Sequence, residues 1–453
     1  MKKYTITIFI LFFTFVCQAS DSTFLVKKIN VIGNKKTKIF IILRELSFKV
    51  GDSIKNWNFD ANLSRQQVIN LFLFNEVFIS KNQGGEVTIE VKERWYVWPF
   101  PVLEYADRNI NQWWLSRDPK RLIYGIELKW HNVRGRNESI LLDFKTGYTQ
   151  LFNVTYKIPF INEKKTWGMQ IKAGISANRE VWYKTEADKV QFFRDKDRFL
   201  INRNYGELMF THRKKILNYH QFYGGFRNTV VKDTVLTDSV NVQFFYKNQN
   251  IQREIYFGYQ FVRDKRNFKG YPLKGHYIKA IVEGPIFFDK PSISLKATMS
   301  KYLKINTKFY AAFSGTVRYF NFSNIPYSKT MALGYDRDVI RGYELNVIDG
   351  NHFALGKSEL KYLLLNKKYN FFKQMKNYEQ LPVAIYLTGF ADAGYVKNEN
   401  RNTLLNNKMP NTVQYGGGMG LNMVLYYDYC LRIEYSVNRY EKQRFYFSFI
   451  TAI

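Results

Sequence analysis

From about Arg121 to Ile453, apolar and polar side chains alternate with a period of two, and no other feature limits the fold so sharply. In "TWGMQIKAGISA", Trp167, Met169, Ile171, Ala173 and Ile175 share one face, while Gly168, Gln170, Lys172, Gly174 and Ser176 share the other. "ESILLDFKTGY" sets Ile140, Leu142 and Phe144 against Asp143 and Lys145, and "QYGGGMGLNMVLY" sets Tyr415, Met419, Leu421 and Met423 against Gly416, Gly418, Gly420 and Asn422. In "YCLRIEYSV", Leu431, Ile433, Tyr435 and Val437 oppose Cys430, Arg432, Glu434 and Ser436. Successive side chains of a strand point to opposite faces. A soluble sandwich fills its inner face with bulky apolar residues. Here glycine and charge take the second face, which suits a wall with lipid outside and a polar, wet lumen inside. Strands of about ten residues joined by turns fit about sixteen into this length.

The fold class expected is therefore mainly β: a transmembrane antiparallel β-barrel of about 16 strands over residues 121–453, preceded by one small α+β domain. The inserts "KTEADKVQFFRDKDR" and "NKKYNFFKQMKNYEQ" are expected as extramembrane loops. "RFYFSFITAI", with Phe445, Phe447 and Phe449 opposite Tyr446 and Ser448, reads as the closing strand.

The first residues, "MKKYTITIFILFFTFVCQAS", place two lysines before an apolar run that ends at small residues. That run is too short to span a bilayer, so residues 1–19 read as a secretory signal peptide. Beyond it no stretch of about 18 apolar residues offers a membrane helix. Cys430 is then the one cysteine left, so no intramolecular disulfide can form and the fold must hold itself together.

Lys and Arg number 68 against 38 Asp and Glu, a formal charge of +30. Export argues against nucleic acid as the partner, leaving lipid phosphates, acidic surface sugars or simply a well-solvated basic surface. An aromatic content of 18% suits strands with lipid on one face.

Residues 24–93 read as a small mixed domain. "FLVKKINVIG" is a strand closed by the turn signal Gly33-Asn34, and "KTKIFIILREL" is a helix. A second helix, "DANLSRQQVINLFLF", starts near Asp60, and the strands "EVFISK" and "EVTIEVKE" flank a turn at Gly84-Gly85. Residues 94–120, opening with "RWYVWPFPVLEYADRNINQWW" and its two prolines and dense Trp and Tyr, are expected to form a joint rather than a central strand, because proline breaks pairing. Its aromatics suit either a membrane–water interface or an interdomain core.

Ile340-Arg341-Gly342-Tyr343 is similar to the [Val/Ile]-Arg-Gly-[Phe/Tyr] motif of the BamA/TamA-type outer-membrane assembly and translocation superfamily, the bacterial surface antigens. "FADAGYV", Phe390 to Val396, resembles the superfamily's Phe-x-Asp-x-Gly strand motif, and "RDKRNFKGYPLKGHY", Arg263 to Tyr277, resembles an earlier barrel motif. The strand–helix–helix–strand–strand order of 24–93 is that of a POTRA domain. The resemblance implies that the Arg-Gly-Tyr turn lies on a loop folded back into the barrel. A guanidinium there needs carboxylates in bidentate geometry. Asp392 is the expected partner of Arg341, with Glu359 nearby, Gly342 allowing the sharp turn and Tyr343 completing the motif. Ending in Ile453 rather than an aromatic residue departs from the superfamily's pattern.

This resemblance implies a non-enzymatic factor without cofactors in the outer membrane of a Gram-negative bacterium, its POTRA-like domain in the periplasm. Its partners would be unfolded outer-membrane or exported polypeptides, outer-membrane lipid, and periplasmic or lipoprotein accessory proteins. A passive or anion-preferring pore is the alternative that glycine-rich lumen faces and basic residues leave open. The histidines His131, His212, His220, His276 and His352 sit in no Gly-x-Ser-x-Gly, His-Glu-x-x-His or close Cys/His pattern, which speaks against a barrel enzyme.

Overall fold

The computed structural model describes residues 23–449, apart from 107–111, 113, 115–116, 163, 165, 214–216, 238–240, 242, 288–289, 322–325, 370–380, 400–404, 426–428 and 441. The signal peptide, most of the "NKKYNFFKQMKNYEQ" insert and the last four residues of the chain therefore lie outside the described residues.

The alternation of apolar and polar residues becomes sixteen long antiparallel strands, Val97–Tyr105 the first and Gln443–Phe449 the last, each paired with the next along the chain. Ladders are long and regular; Trp167 pairs with His212 and the register runs unbroken to Asn178 and Ile201. The face assigned to lipid is indeed outside: Met419 is 68% exposed, whereas Asn422 three residues on is wholly buried. The sheet curls until its last strand lies beside its first. The last and first strands are hydrogen-bonded neighbours in that ring.

Two expectations are corrected here. Residues 94–120 are not only a joint: Val97–Tyr105, with Pro99 and Pro101, is the first barrel strand and pairs with Leu122–Val133. Proline fits here because the His131 amide donates to the Tyr96 carbonyl at 2.7 Å, so even-numbered residues bond to Leu122–Val133 and no bond on that side needs an N–H from Pro99 or Pro101. The insert 184–198 is not an open loop either. Glu180–Glu186 and Lys189–Arg194 form a hairpin whose turn residues Ala187 and Asp188 both have positive φ, 49° and 58°. Asp188 at its tip is buried, and its carboxylate accepts from the Lys408 and Met409 amides at 3.0 and 3.1 Å.

The N-terminal unit has a three-stranded sheet in the order Lys28–Ile32, Glu86–Glu93, Phe74–Lys81, the first pair parallel and the second antiparallel. Its two helices are Ile39–Leu43, shorter than the sequence suggested, and Trp57–Ile69. The second starts three residues before Asp60, because Asn56 caps it by accepting from the Phe59 amide at 3.0 Å. Ile41, Ile42, Val68, Phe74, Val77 and Ile89 make its core.

The unit is docked on the barrel turns nearest to it. The Lys38 amide donates to the Gly135 carbonyl at 2.9 Å, and Asn132 Nδ2 donates to Thr37 Oγ1 at 2.9 Å. Arg213 donates through both terminal nitrogens to Glu45, at 2.7 and 2.8 Å, with the Glu45 side chain almost fully buried.

Candidate functional site

Between Phe309–Asn321 and His352–Tyr369 the chain dips into the lumen instead of passing straight from strand to strand. Residues 334–347 contact the inner wall of the four strands from His352 to Asn438. Arg341 sits at the centre and is buried. Its Nε donates to Asp392 Oδ2 at 2.9 Å and its Nη2 to Oδ1 at 2.7 Å, the two-pronged geometry of a guanidinium on a carboxylate. Nη1 donates to Glu359 Oε2 at 3.1 Å, and Nη2 also reaches the Ser358 carbonyl at 2.9 Å. The Arg341 amide adds a bond to Asp392 at 3.1 Å, and Glu434 lies 3.6 Å from Nη1. The ring of Phe390 closes one side, 4.0 Å from the guanidinium carbon.

Burial works against the Arg341 charge. Asp392, by hydrogen bonding and by charge, and then Glu359 and Glu434 more than offset it, so the pKa is held above the ordinary value.

Gly342 follows with φ 96°, a conformation that side chains rarely accept. Its carbonyl accepts from Asn438 Nδ2 at 2.9 Å and from Tyr446 Oη at 3.4 Å. The Tyr343 hydroxyl donates to the Tyr415 carbonyl at 3.1 Å and accepts from the Arg439 amide at 3.2 Å. The five site residues singled out in the sequence thus fall in one place: Arg341 against Asp392 and Glu359, Gly342 and Tyr343 against the last strands.

A family model described as the Omp85 superfamily domain matches residues 132–451, more than half of the chain. The chain belongs to the Omp85 superfamily. Its fold is similar to BamA from Haemophilus ducreyi lacking POTRA domains 1–3, with TM-score 0.52 and 14% identity over 93% of this chain and 83% of that one. It is also similar to CdiB from Escherichia coli, with TM-score 0.54 and 10% identity over 94% and 74% of the two chains. CdiB from Acinetobacter baumannii gives 0.50 and 12% over 93% and 72%. No curated protein matches the chain in sequence. Omp85 proteins are outer-membrane barrels of insertion and translocation, and that much carries over to this one.

Several residues of this Omp85 site escaped sequence reasoning. The glycines of Val413–Leu425 read as a wet lumen face, yet a Cβ on Gly416 would lie 2.2 Å from the Arg341 carbonyl oxygen. The gap in the wall is where the loop lies. Asn438 and Tyr446 carry no local signal for their shared acceptor; only the barrel's curvature brings them to Gly342. The basic segment "RDKRNFKGYPLKGHY" also turns inward, from the end nearer the small domain. It buries Tyr271, whose hydroxyl accepts from Asn422 Nδ2 at 2.9 Å. The same Asn422 nitrogen lies 3.2 Å from Glu359 Oε1, and Lys361 Nζ stands 4.1 Å from the Tyr271 ring centre. Two loops entering from opposite ends therefore meet on one buried network around Glu359.

Proposed function

We propose that this Omp85 barrel is a non-enzymatic factor that inserts polypeptides into the outer membrane or passes them across it. Residues 24–93 act as its single POTRA-type domain on the periplasmic side. An extended client segment adds to the outer strand Phe74–Lys81 of that domain by β-augmentation, where backbone hydrogen bonds give affinity with little demand on sequence. The client then passes to the barrel seam, and its own folding supplies the driving force. Lipid phosphates are the partner that best suits the chain's surplus of basic residues.

The observation that carries this reading is the lumen obstructed by the loop at Arg341, with the Tyr271 loop beneath it. A diffusion pore gains nothing from an arginine held by two carboxylates across its bore. Arg341, Asp392 and Glu359 form a lock that keeps the loop seated, and Gly342 and Tyr343 tie the same loop to the last strands.

Planar-bilayer recording of the purified chain tests this. The expected trace is a low, flickering conductance. A stable, large, anion-preferring conductance would make the protein a pore and overturn the reading.

A further inference from the structure

The lumen holds a cavity of about 780 Å3 between the loop at Arg341, the inward-turned basic segment and the inner wall of the strands, among them Gly275–Phe287, His352–Tyr369 and Gln443–Phe449. Eight basic side chains line it against four acidic ones. Most of the acids are already engaged. Lys296 binds Asp338, and the Glu344 carboxyl accepts from the Gly342 amide at 3.0 Å. Glu434 stands 3.6 Å from Arg341 and 3.7 Å from Arg432, which leaves Asp336.

The bases are not engaged to the same degree. Among the described residues, Lys269, Lys279, Arg337 and Lys357 enter no ion pair. Lys357 stands opposite Asp392 in the strand ladder, but Arg341 already holds that carboxylate. Arg432 is only 4% exposed, and its Nη2 meets no hydrogen-bond partner. Hydroxyls share the wall, Thr298 with Thr316 at 3.1 Å and Ser300 with Ser314 at 2.9 Å. Like charges confined away from bulk water repel, and a desolvated guanidinium is costly until an anion meets it.

We propose that this luminal cavity binds a small soluble ligand carrying two or more phosphate groups, held by Lys279, Lys357 and Arg432 of the wall and Arg337 of the loop. Phosphate oxygens accept several charge-assisted hydrogen bonds at once, and lysine and arginine are their usual donors. The volume lies within the range of small-ligand sites, about 300–1,000 Å3. A soluble ligand is the source because these groups line the lumen, whereas lipid headgroups lie outside the ring of strands. Arg337 belongs to the loop and Lys279 and Lys357 to the wall, so the bound anion ties one to the other. The site goes beyond the reading of this chain as a polypeptide-handling barrel and does not depend on it.

The test titrates inorganic tripolyphosphate into the full chain in nanodiscs at low salt, read by calorimetry. Saturable one-to-one binding is expected. Lys279→Gln/Lys357→Gln, checked for folding by heat-modifiable mobility, should weaken it by about a hundredfold, about tenfold for each charge-assisted bond lost. Lys120→Gln/Lys196→Gln removes the same charge from a basic cluster outside this cavity and should change binding by less than about twofold. With the ligand at about ten times its Kd, protease cleavage within 334–347 should slow by about tenfold. Absence of saturable binding, or equal weakening by the two lysine pairs, overturns the site. Binding that leaves cleavage unslowed overturns the tie between loop and wall, and competition by lipid A added to the nanodisc overturns the assignment to a soluble ligand.

Discussion

Two buried arginine–carboxylate contacts hold this molecule in its shape, and they are built differently. Arg341 in the lumen meets Asp392 and Glu359, a backbone carbonyl and an aromatic face. Arg213 at the domain junction meets Glu45 in bidentate geometry and the Tyr219 ring at 4.8 Å, with a second arginine beside it, since Arg44 Nη2 donates to the Arg213 carbonyl at 3.3 Å. The first is over-determined and fixes one loop against four strands. The second is one contact among several at the junction, beside the Lys38–Gly135 and Asn132–Thr37 bonds and Phe160, which packs into the small domain's core. The luminal contact is thus suited to setting the barrel's state, and the junction contact to setting where the small domain points.

The largest effect that separates them is expected from Arg341→Ala. It strands two buried carboxylates, so loop seating should weaken by about 3–5 kcal/mol, read as protease cleavage within 334–347 and earlier unfolding in urea. If this variant unfolds no earlier than wild type, the luminal network is not what holds the loop. Glu45→Ala comes next: Arg213 is left without its carboxylate, but both units keep their cores. About 2–3 kcal/mol should be lost from docking, seen as cleavage near residue 94 without a change in barrel mobility. Adding Arg213→Ala should recover part of that loss, because the uncompensated charge goes with it.

Gly416→Ala sharpens the comparison further. Its Cβ meets the Arg341 carbonyl oxygen at 2.2 Å, so the loop must lift, at a cost of about 1–3 kcal/mol. Gly389→Ala on the neighbouring strand meets no atom within 4 Å and should be nearly silent in the same assay. Equal effects would mean that the wall glycines matter for the strands and not for the loop.

The smallest effect is a slope with pH. Burial raises the carboxyl of Glu344 from 4.5 to about 8, and nearby Glu434 adds to the shift. A free chain releases this proton first, so the folded state binds more protons over that window and loop seating weakens as pH rises from about 4.5 to about 8. Because the side chain is only half-buried, the change should stay under about 1 kcal/mol. Glu344→Gln should flatten the pH dependence of loop proteolysis; an unaltered slope would assign it to another group.

The same two contacts mark what the sequence could disclose. The barrel was legible because alternation is a local property that survives over every strand, as with Met419 outside and Asn422 inside. The partners of Arg341 were legible through the short motifs that carry it and Asp392. Glu45 and Arg213 stand 168 residues apart with nothing local to relate them, and only the docked fold does so. Pro99 and Pro101 misled for a physical reason: both alternate with the residues that bond to Leu122–Val133, so that ladder loses no donor to them. The glycines of Val413–Leu425 were read for their polarity when their missing volume was what counted.

The most direct test of the account is to deplete this protein in its own cells and quantify the proteins of the outer membrane and the medium. An insertion or translocation factor should cause specific outer-membrane or exported polypeptides to fall, many together for a general role or a few for a dedicated one. An unchanged outer-membrane and secreted proteome, with altered uptake of small solutes instead, would contradict it.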